Sequence, residues 1–295
     1  MAAITKSTNL FPSELVTDVF SKVKGHSSLA KLSGQTPVPF AGMTEMVFTM
    51  DGEASIVGEG ENKPAGDAGF GTVAITPVKF VYQHRLTDEF VNMAEEQQIP
   101  YLQAFTDGFA KKIARALDIS AMHGVNPATK TAVNSLASKN FDMATIGTIT
   151  TTAGKEDDDI DSAVQAIAAA DGTVTGIAMA PAFGSALGKI KANGVAQYPE
   201  FRFGGNPATF ASMGADVNNT VAFGTSTDLA IVGDFAEAFK WGYTESVPCE
   251  VIQYGDPDGQ GDLKRTNQIV LRAEAYVGWG ILDPESFKRI VKASA

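Results

Sequence analysis

The residues of this 295-residue chain that could carry chemistry are three histidines, one cysteine and a few clustered carboxylates. His26, His84 and His123 are far apart, and none has a Cys or carboxylate at metal-ligand spacing, so each reads as a satisfied or surface histidine. Cys249 has no histidine nearby in sequence to draw out a thiolate and reads as structural; a lone cysteine also excludes an intrachain disulfide. Glu59 and Glu61 sit in a glycine-rich stretch, without the burial that tunes a catalytic carboxyl. Gly184-Ser-Ala-Leu-Gly188-Lys189 is one residue short of a phosphate loop and lacks the Ser/Thr after its Lys. Gly66-Asp-Ala-Gly69-Phe-Gly71 has the wrong glycine order for a dinucleotide fingerprint, and no Gly-x-Ser-x-Gly elbow occurs. Asp256-Pro-Asp258-Gly-Gln-Gly261-Asp262 opens like a calcium loop, yet position twelve is Asn267 rather than a bidentate Glu. A turn between two strands accounts for the same residues. The expectation is therefore no catalytic residue, no cofactor and no metal: a chain that is not an enzyme.

Composition narrows the class further. With 44% hydrophobic and 19% charged residues, the chain is soluble and globular, and its length suffices for one large domain or two ordinary ones. A formal charge of −11 argues against a dedicated nucleic-acid surface. The densest basic group, Lys111, Lys112 and Arg115, reads as a solvated helix face. No apolar run reaches the roughly 18 residues of a membrane span, and the first residues lack a signal-peptide core. The expectation is a protein made and folded in a cytoplasm.

Residues 1–40 read as an arm. A short helix starts at Phe11-Pro12-Ser13-Glu14, buries Leu15, Val19, Phe20 and Val23, and ends at Lys24-Gly25. Residues 44–50 and 72–86 read as the two legs of a long hairpin with a polar, glycine-rich tip. The second leg changes its apolar face at Pro77, which cannot donate to a ladder. A helix over Pro100–Met122 follows from Leu102, Phe105, Phe109, Ile113, Ala116 and Leu117, with Gly124 as its stop. A polar segment over 125–158 ends in Glu156-Asp-Asp-Asp159, which caps a helix over Ile160–Ala170. Then come a strand over Thr173–Met179, a helix over Pro181–Ala192 and short strands near Val221–Phe223 and Ala230–Val232. Period-two alternation from Gln268 to Val277 gives a strand, and Asp283-Pro284-Glu285 opens a final helix over Ser286–Val291. The fold class is α+β.

This order resembles the phage major capsid protein of the Hong Kong 97-type fold across nearly the whole chain. The resemblance rests on Asn9-Leu-Phe-Pro-Ser-Glu14, on Ser55-Ile-Val-Gly-Glu-Gly60 with Pro64, and on Phe80-Val-Tyr-Gln-His-Arg-Leu-Thr-Asp-Glu89. It continues through Asp118-Ile-Ser-Ala-Met-His-Gly124, Met179-Ala-Pro-Ala-Phe183, Leu187-Gly-Lys-Ile-Lys191 and Gly233-Asp-Phe-Ala-Glu-Ala-Phe239, then Gln268-Ile-Val-Leu-Arg272 and Asp283-Pro-Glu-Ser-Phe287. It implies an N-terminal arm over 1–43, an extended β-hairpin loop over 44–86, a peripheral domain with a long spine helix over 87–150 and 262–295, and an axial domain over 151–261. The implied function is structural: self-assembly into hexamers and pentamers of an icosahedral phage head, reached through a procapsid that expands, assembled in the host cytoplasm and resident in the virion. Packaged double-stranded DNA would be contacted non-specifically, with portal and decoration proteins as further partners and no membrane. The chain runs from Met1 almost straight into the arm, so a scaffolding protein, if used, is expected to be separate. Some relatives cross-link a loop Lys to a peripheral Asn. Lys63, Lys79 and Asn267 are present but do not align to those roles, so non-covalent assembly is expected. The residues expected at subunit contacts are Glu59, Glu61, Lys63, Phe70 and Pro77. The alternative is an encapsulin-like bacterial shell around protein cargo.

Overall fold

The computed structural model describes residues 26–51, 54–93, 95–244 and 249–293. The arm helix expected over 11–24 lies outside the described residues.

Strand β13, Gln268–Ile281, is the axis of a four-stranded sheet. Its alternation is as expected from Leu271 on: Ile269, Leu271, Ala273 and Ala275 are buried, whereas Arg272, Glu274 and Tyr276 are partly exposed; Val270, on the face of these last three, is buried too. The strand continues past Val277 to Ile281. On one side it pairs with β3, Val78–Thr87; on the other it pairs with β12, Cys249–Ile252, and β11, Phe239–Tyr243, all antiparallel. The second hairpin leg expected over 72–86 is thus two strands. Residues Asp67–Ile75 form β2, which pairs with β1, Met43–Asp51, and the chain passes at Pro77 into β3 of the body sheet. The face change has a topological cause: Pro77 lacks the N–H that would carry one ladder into the next.

The short helices α1, Ser28–Leu32, and α2, Glu89–Asn92, precede the long α3, Glu95–His123. At about 1.5 Å per residue α3 spans about 43 Å. It begins one turn earlier than expected, with Pro100 inside it rather than at its start. Gln98 supports that turn by donating to the carbonyls of Phe90 and Met93, both at 3.0 Å. Gly124 adopts φ +62° and ends the helix, as its position predicted. Phe109, Ile113 and Leu117 pack with Ala273, Ala275, Val277 and Trp279 in the largest core.

The second sheet has six strands in the order β4, β14, β10, β5, β9, β8. These are Gly147–Thr150, Phe287–Val291, Asp228–Gly233, Gly176–Met179, Met213–Val217 and Thr209–Phe210. Helices α4, Glu156–Ala168, and α5, Pro181–Leu187, cover one face through Ile160, Ala163, Ile167, Phe183 and Leu187. Alternate residues Ala178, Ile231 and Phe287 turn to the α3 core. Both faces are therefore buried, which is why Gly176–Met179 is apolar without alternation.

Three further expectations change. The final helix over Ser286–Val291 is instead β14, antiparallel to β10 and parallel to β4. Phe287 sits against Phe141 and Phe235, with ring centroids 5.0 and 5.3 Å apart, and a helix confined to Ser286–Val291 is too short to resist that pairing. The helix expected to run to Ala192 stops at Leu187, and Asn193-Gly194, at φ +51° and +82°, turns a small hairpin between Lys191–Ala192 and Val195–Ala196. Val221–Phe223 is a turn rather than a strand. Sheet membership also crosses the sequence: β14 joins the six-stranded sheet, and β11 and β12 join the four-stranded one.

Asp118, on α3 and fully buried, joins these parts. It accepts hydrogen bonds from the Ser27 hydroxyl at 2.5 Å, the Ser28 N–H at 2.9 Å, the Leu29 N–H at 3.2 Å and the Thr220 hydroxyl at 3.0 Å. Asp216 of β9 holds the same short helix, through the Ser28 hydroxyl at 2.6 Å and Lys31 at 2.7 Å. Burial pushes the Asp118 carboxyl up to about 6, against the pull of its donors. Replacing Asp118 by Ala strands four donors and should lower the unfolding free energy by about 2–4 kcal/mol in urea melts. The sign of the pH effect follows from the raised pKa. A folded value above the free 3.8 lets the folded chain keep a proton that the unfolded chain has lost, so this group's contribution weakens as pH rises through about 6. Taken from about pH 7.5 to about pH 5, the parent chain should gain melting temperature relative to Asp118→Ala; parallel profiles would contradict the assignment.

Candidate assembly interface

The β1–β2 hairpin stands out from both sheets. Its register pairs Met46 with Thr72 and Phe48 with Phe70. Successive residues alternate faces, so Met46, Phe48 and Phe70 share one side. That side is bare: the three are 72%, 51% and 73% exposed. The Phe48 and Phe70 rings touch each other, with centroids 4.8 Å apart. On the opposite side Glu45, Val47 and Val73 are half-buried. The sequence singled out Phe70 but not Met46 or Phe48; the signal was their matching parity on the facing leg.

The root of the hairpin is rigid. Ile75 is 1% exposed and lies over the bare backbones of Gly278 and Gly280, where an added Cβ would come within 3.1 and 2.9 Å of it. Glu45 is 3.1 Å from Lys240 of β11. The tip is polar: Glu59, Glu61 and Lys63 are all exposed. A local turn orders it, in which Glu61 N–H donates to the Gly58 carbonyl at 3.2 Å and the Glu61 carboxylate accepts from Gly58 N–H at 3.1 Å. Ile56 beside it is fully exposed. Pro77 is half-buried at the body, away from the tip. Of the five expected contact residues, then, three form the tip, Phe70 lies on the exposed face and Pro77 at the root.

Next to the root, β3 pairs on one side only among the described residues, and its outer part, Val81 and Tyr82, is 49% and 41% exposed. Between β3 and α3 runs a groove of about 570 Å³. Its floor includes Phe80, Phe109, Ile113 and Ile119, and Lys79, Lys112 and Arg115 are at its edge. Lys79 pairs with Glu274 at 2.6 Å, a hydrogen bond that raises its pKa. The arrangement offers apolar contact edged by positive charge, which suits a partner carrying both apolar and acidic groups.

The calcium-like segment is filled from within. Arg85 of β3 donates to both Asp258 oxygens, at 2.7 Å through Nε and through Nη2, to Asp256 at 3.4 Å and to the Gly261 carbonyl at 2.8 Å. The guanidinium holds the Asp258 carboxyl down at about 2. The oxygens that a cation would take already face a cation. Of the histidines, His123 is buried and paired, as described below, while His84 lies on β3, exposed.

The sequence model of the phage capsid family matches residues 8–292. No curated protein matches the chain. Among solved structures, the chain is similar to one from Mycobacterium phage Ogopogo, at 32% identity and TM-score 0.78, covering 91% of this chain and 92% of that one. One from Gordonia phage Cozz is 24% identical with TM-score 0.75, covering 92% and 87%. The capsid of a native GTA particle is 15% identical with TM-score 0.63, covering 90% of each chain.

Two outcomes test the geometry. Phe70→Ser should leave the melting temperature of the free chain nearly unchanged, since the ring buries little in its own subunit, yet suppress association measured by light scattering. Adding calcium at millimolar concentration should not shift the melting temperature, because Arg85 occupies the acidic segment.

Proposed function

The chain belongs to the phage capsid family, and from that membership we propose how its surfaces are used. It is a structural major capsid protein with the Hong Kong 97-type fold, and its kind assembles into capsid shells of the virion. The phage-head reading is favoured over the bacterial-shell alternative.

The observation that carries the proposal is the hairpin face of Met46, Phe48 and Phe70, which projects from the subunit with no cover of its own. An isolated two-stranded ribbon is marginal in water, and exposed aromatics in a row mark a contact surface. The hairpin lies over an adjacent subunit, with Glu59, Glu61 and Lys63 at its far end and Pro77 at its root. The extended loop is 43–75, because β3 belongs to the body sheet; the arm lies before it. The peripheral domain is centred on α3 and β13, and the axial domain on the six-stranded sheet. Subunits form hexamers and pentamers by non-covalent contacts, many modest ones adding up across the shell. The shell encloses double-stranded DNA without reading it, which an acidic subunit tolerates. It is assembled in the host cytoplasm with portal and decoration proteins as further partners, and works without catalysis.

Expressed with its scaffolding partner, the chain should give closed particles in negative-stain electron microscopy. A variant lacking Glu59–Gly71 should give soluble subunits or open fragments; closed particles from that variant would overturn the role of the hairpin.

A further inference from the structure

We propose that His123, Asp142 and Asp228 form a binding site for a divalent transition-metal ion that ties the end of α3 to the six-stranded sheet. His123 is in the last turn of α3, and its side chain is 4% exposed. Its Nε2 lies 2.9 Å from the Thr220 carbonyl. A carbonyl only accepts, so Nε2 carries the proton, and in a neutral imidazole Nδ1 presents a lone pair. Nδ1 lies 3.1 Å from Asp142 Oδ2, whose carboxylate raises the imidazole's pKa against the opposing effect of burial, and 3.8 Å from Asp228 Oδ2; a bound ion would take the place of the Nδ1 proton. Three acceptor atoms therefore converge within 4.8 Å of one another, the one such group among the described residues.

Convergent acceptors repel unless something positive lies among them. Arg289 of β14 answers part of the charge: its Nη1 donates to Asp142 Oδ1 and to Asp228, 3.0 Å from Oδ1 and 3.2 Å from Oδ2. It balances one of the two carboxylates, and the other is left to share protons with its neighbours or to bind a cation. One imidazole with two carboxylates is a donor set suited to zinc, manganese or iron(II). Metal bonds of about 2.0–2.2 Å place neighbouring ligand atoms about 3–3.5 Å apart, close to the spacing found here. The surroundings fit as well. The His123 N–H held by a backbone carbonyl fixes the tautomer, and Arg289 orients both carboxylates, as outer partners do around metals. Access exists too: Asp142 is 34% exposed and opens on a cavity of about 340 Å³ that Thr225, Ser226 and Thr227 also line, with room for water ligands. A guanidinium meets acidic oxygens here as at the Arg85 segment, but this site adds an imidazole nitrogen, and Asp142 Oδ2 is not among the oxygens that Arg289 holds.

The inference stands on this geometry and not on the shell reading. Untagged protein, stripped with chelator and dialysed, would be titrated with Zn²⁺ and with Mn²⁺ by calorimetry, and with Co²⁺ by visible absorption. The expected result is one ion per chain, a higher melting temperature on loading, and Co²⁺ bands that need no variant to interpret. Asp142→Asn, altering the most exposed ligand, should weaken binding about tenfold or more. No saturable binding up to about 1 mM would overturn the site, as would unchanged affinity in Asp142→Asn. Stabilisation by acid alone, with no response to metal, would show a shared proton in place of the ion and equally overturn it.

Discussion

A buried carboxylate surrounded only by donors constrains this subunit. Asp118 sits on α3 with no exposure, and its oxygens are met by Ser27, Ser28, Leu29 and Thr220. Those donors belong to the start of the described chain and to the turn that precedes β10. A charge held in that way has little freedom to shift, because any movement of the three parts would strand it. The long helix, the start of the described chain and the six-stranded sheet consequently share one fixed point. Thr220 serves twice there, with its hydroxyl on Asp118 and its carbonyl on His123.

From that fixed body the hairpin projects as the opposite kind of structure. Its root is clamped by Ile75 over Gly278 and Gly280, while its outward face keeps two phenylalanines and a methionine in solvent. A packed base and unmet apolar surface beyond it suit the proposed role in a shell: the body would set an angle, and the projecting face would find its cover on another copy. The body also offers a groove between β3 and α3 with lysine and arginine at its edge. An acidic chain with one apolar, basic-edged groove and one apolar hairpin with acidic groups near its tip is complementary to itself.

Local pattern made much of this legible. The spacing of Leu102, Phe105, Phe109 and Ile113 revealed α3, and Gly124 its end, because a long amphipathic helix writes its period into the sequence. The alternation around Leu271 and Ala273 did the same for β13. Pro77 was noticed as a break, but the sequence could not say that the chain there changes sheets, since pairing with β13 is a contact across nearly two hundred residues. Ser286–Val291 misled because Asp-Pro-Glu-Ser resembles a helix start; Asp283 instead caps a turn, accepting from Glu285 N–H at 3.0 Å. Asp118 and His123 could be read only as members of a helix, as their partners come from distant segments. The exposure of Phe48 was equally hidden, for an apolar residue on a strand normally points to a core.

The most direct measurement is amide hydrogen exchange over residues 43–75, compared between free subunits and assembled particles. The account predicts that Met46–Phe48 and Phe70–Thr72 exchange readily in the free chain and become strongly protected on assembly, while the segment at Ser28–Leu29 is protected in both. Equal exchange of the hairpin in the two states would contradict the claim that its exposed face is what joins one subunit to the next.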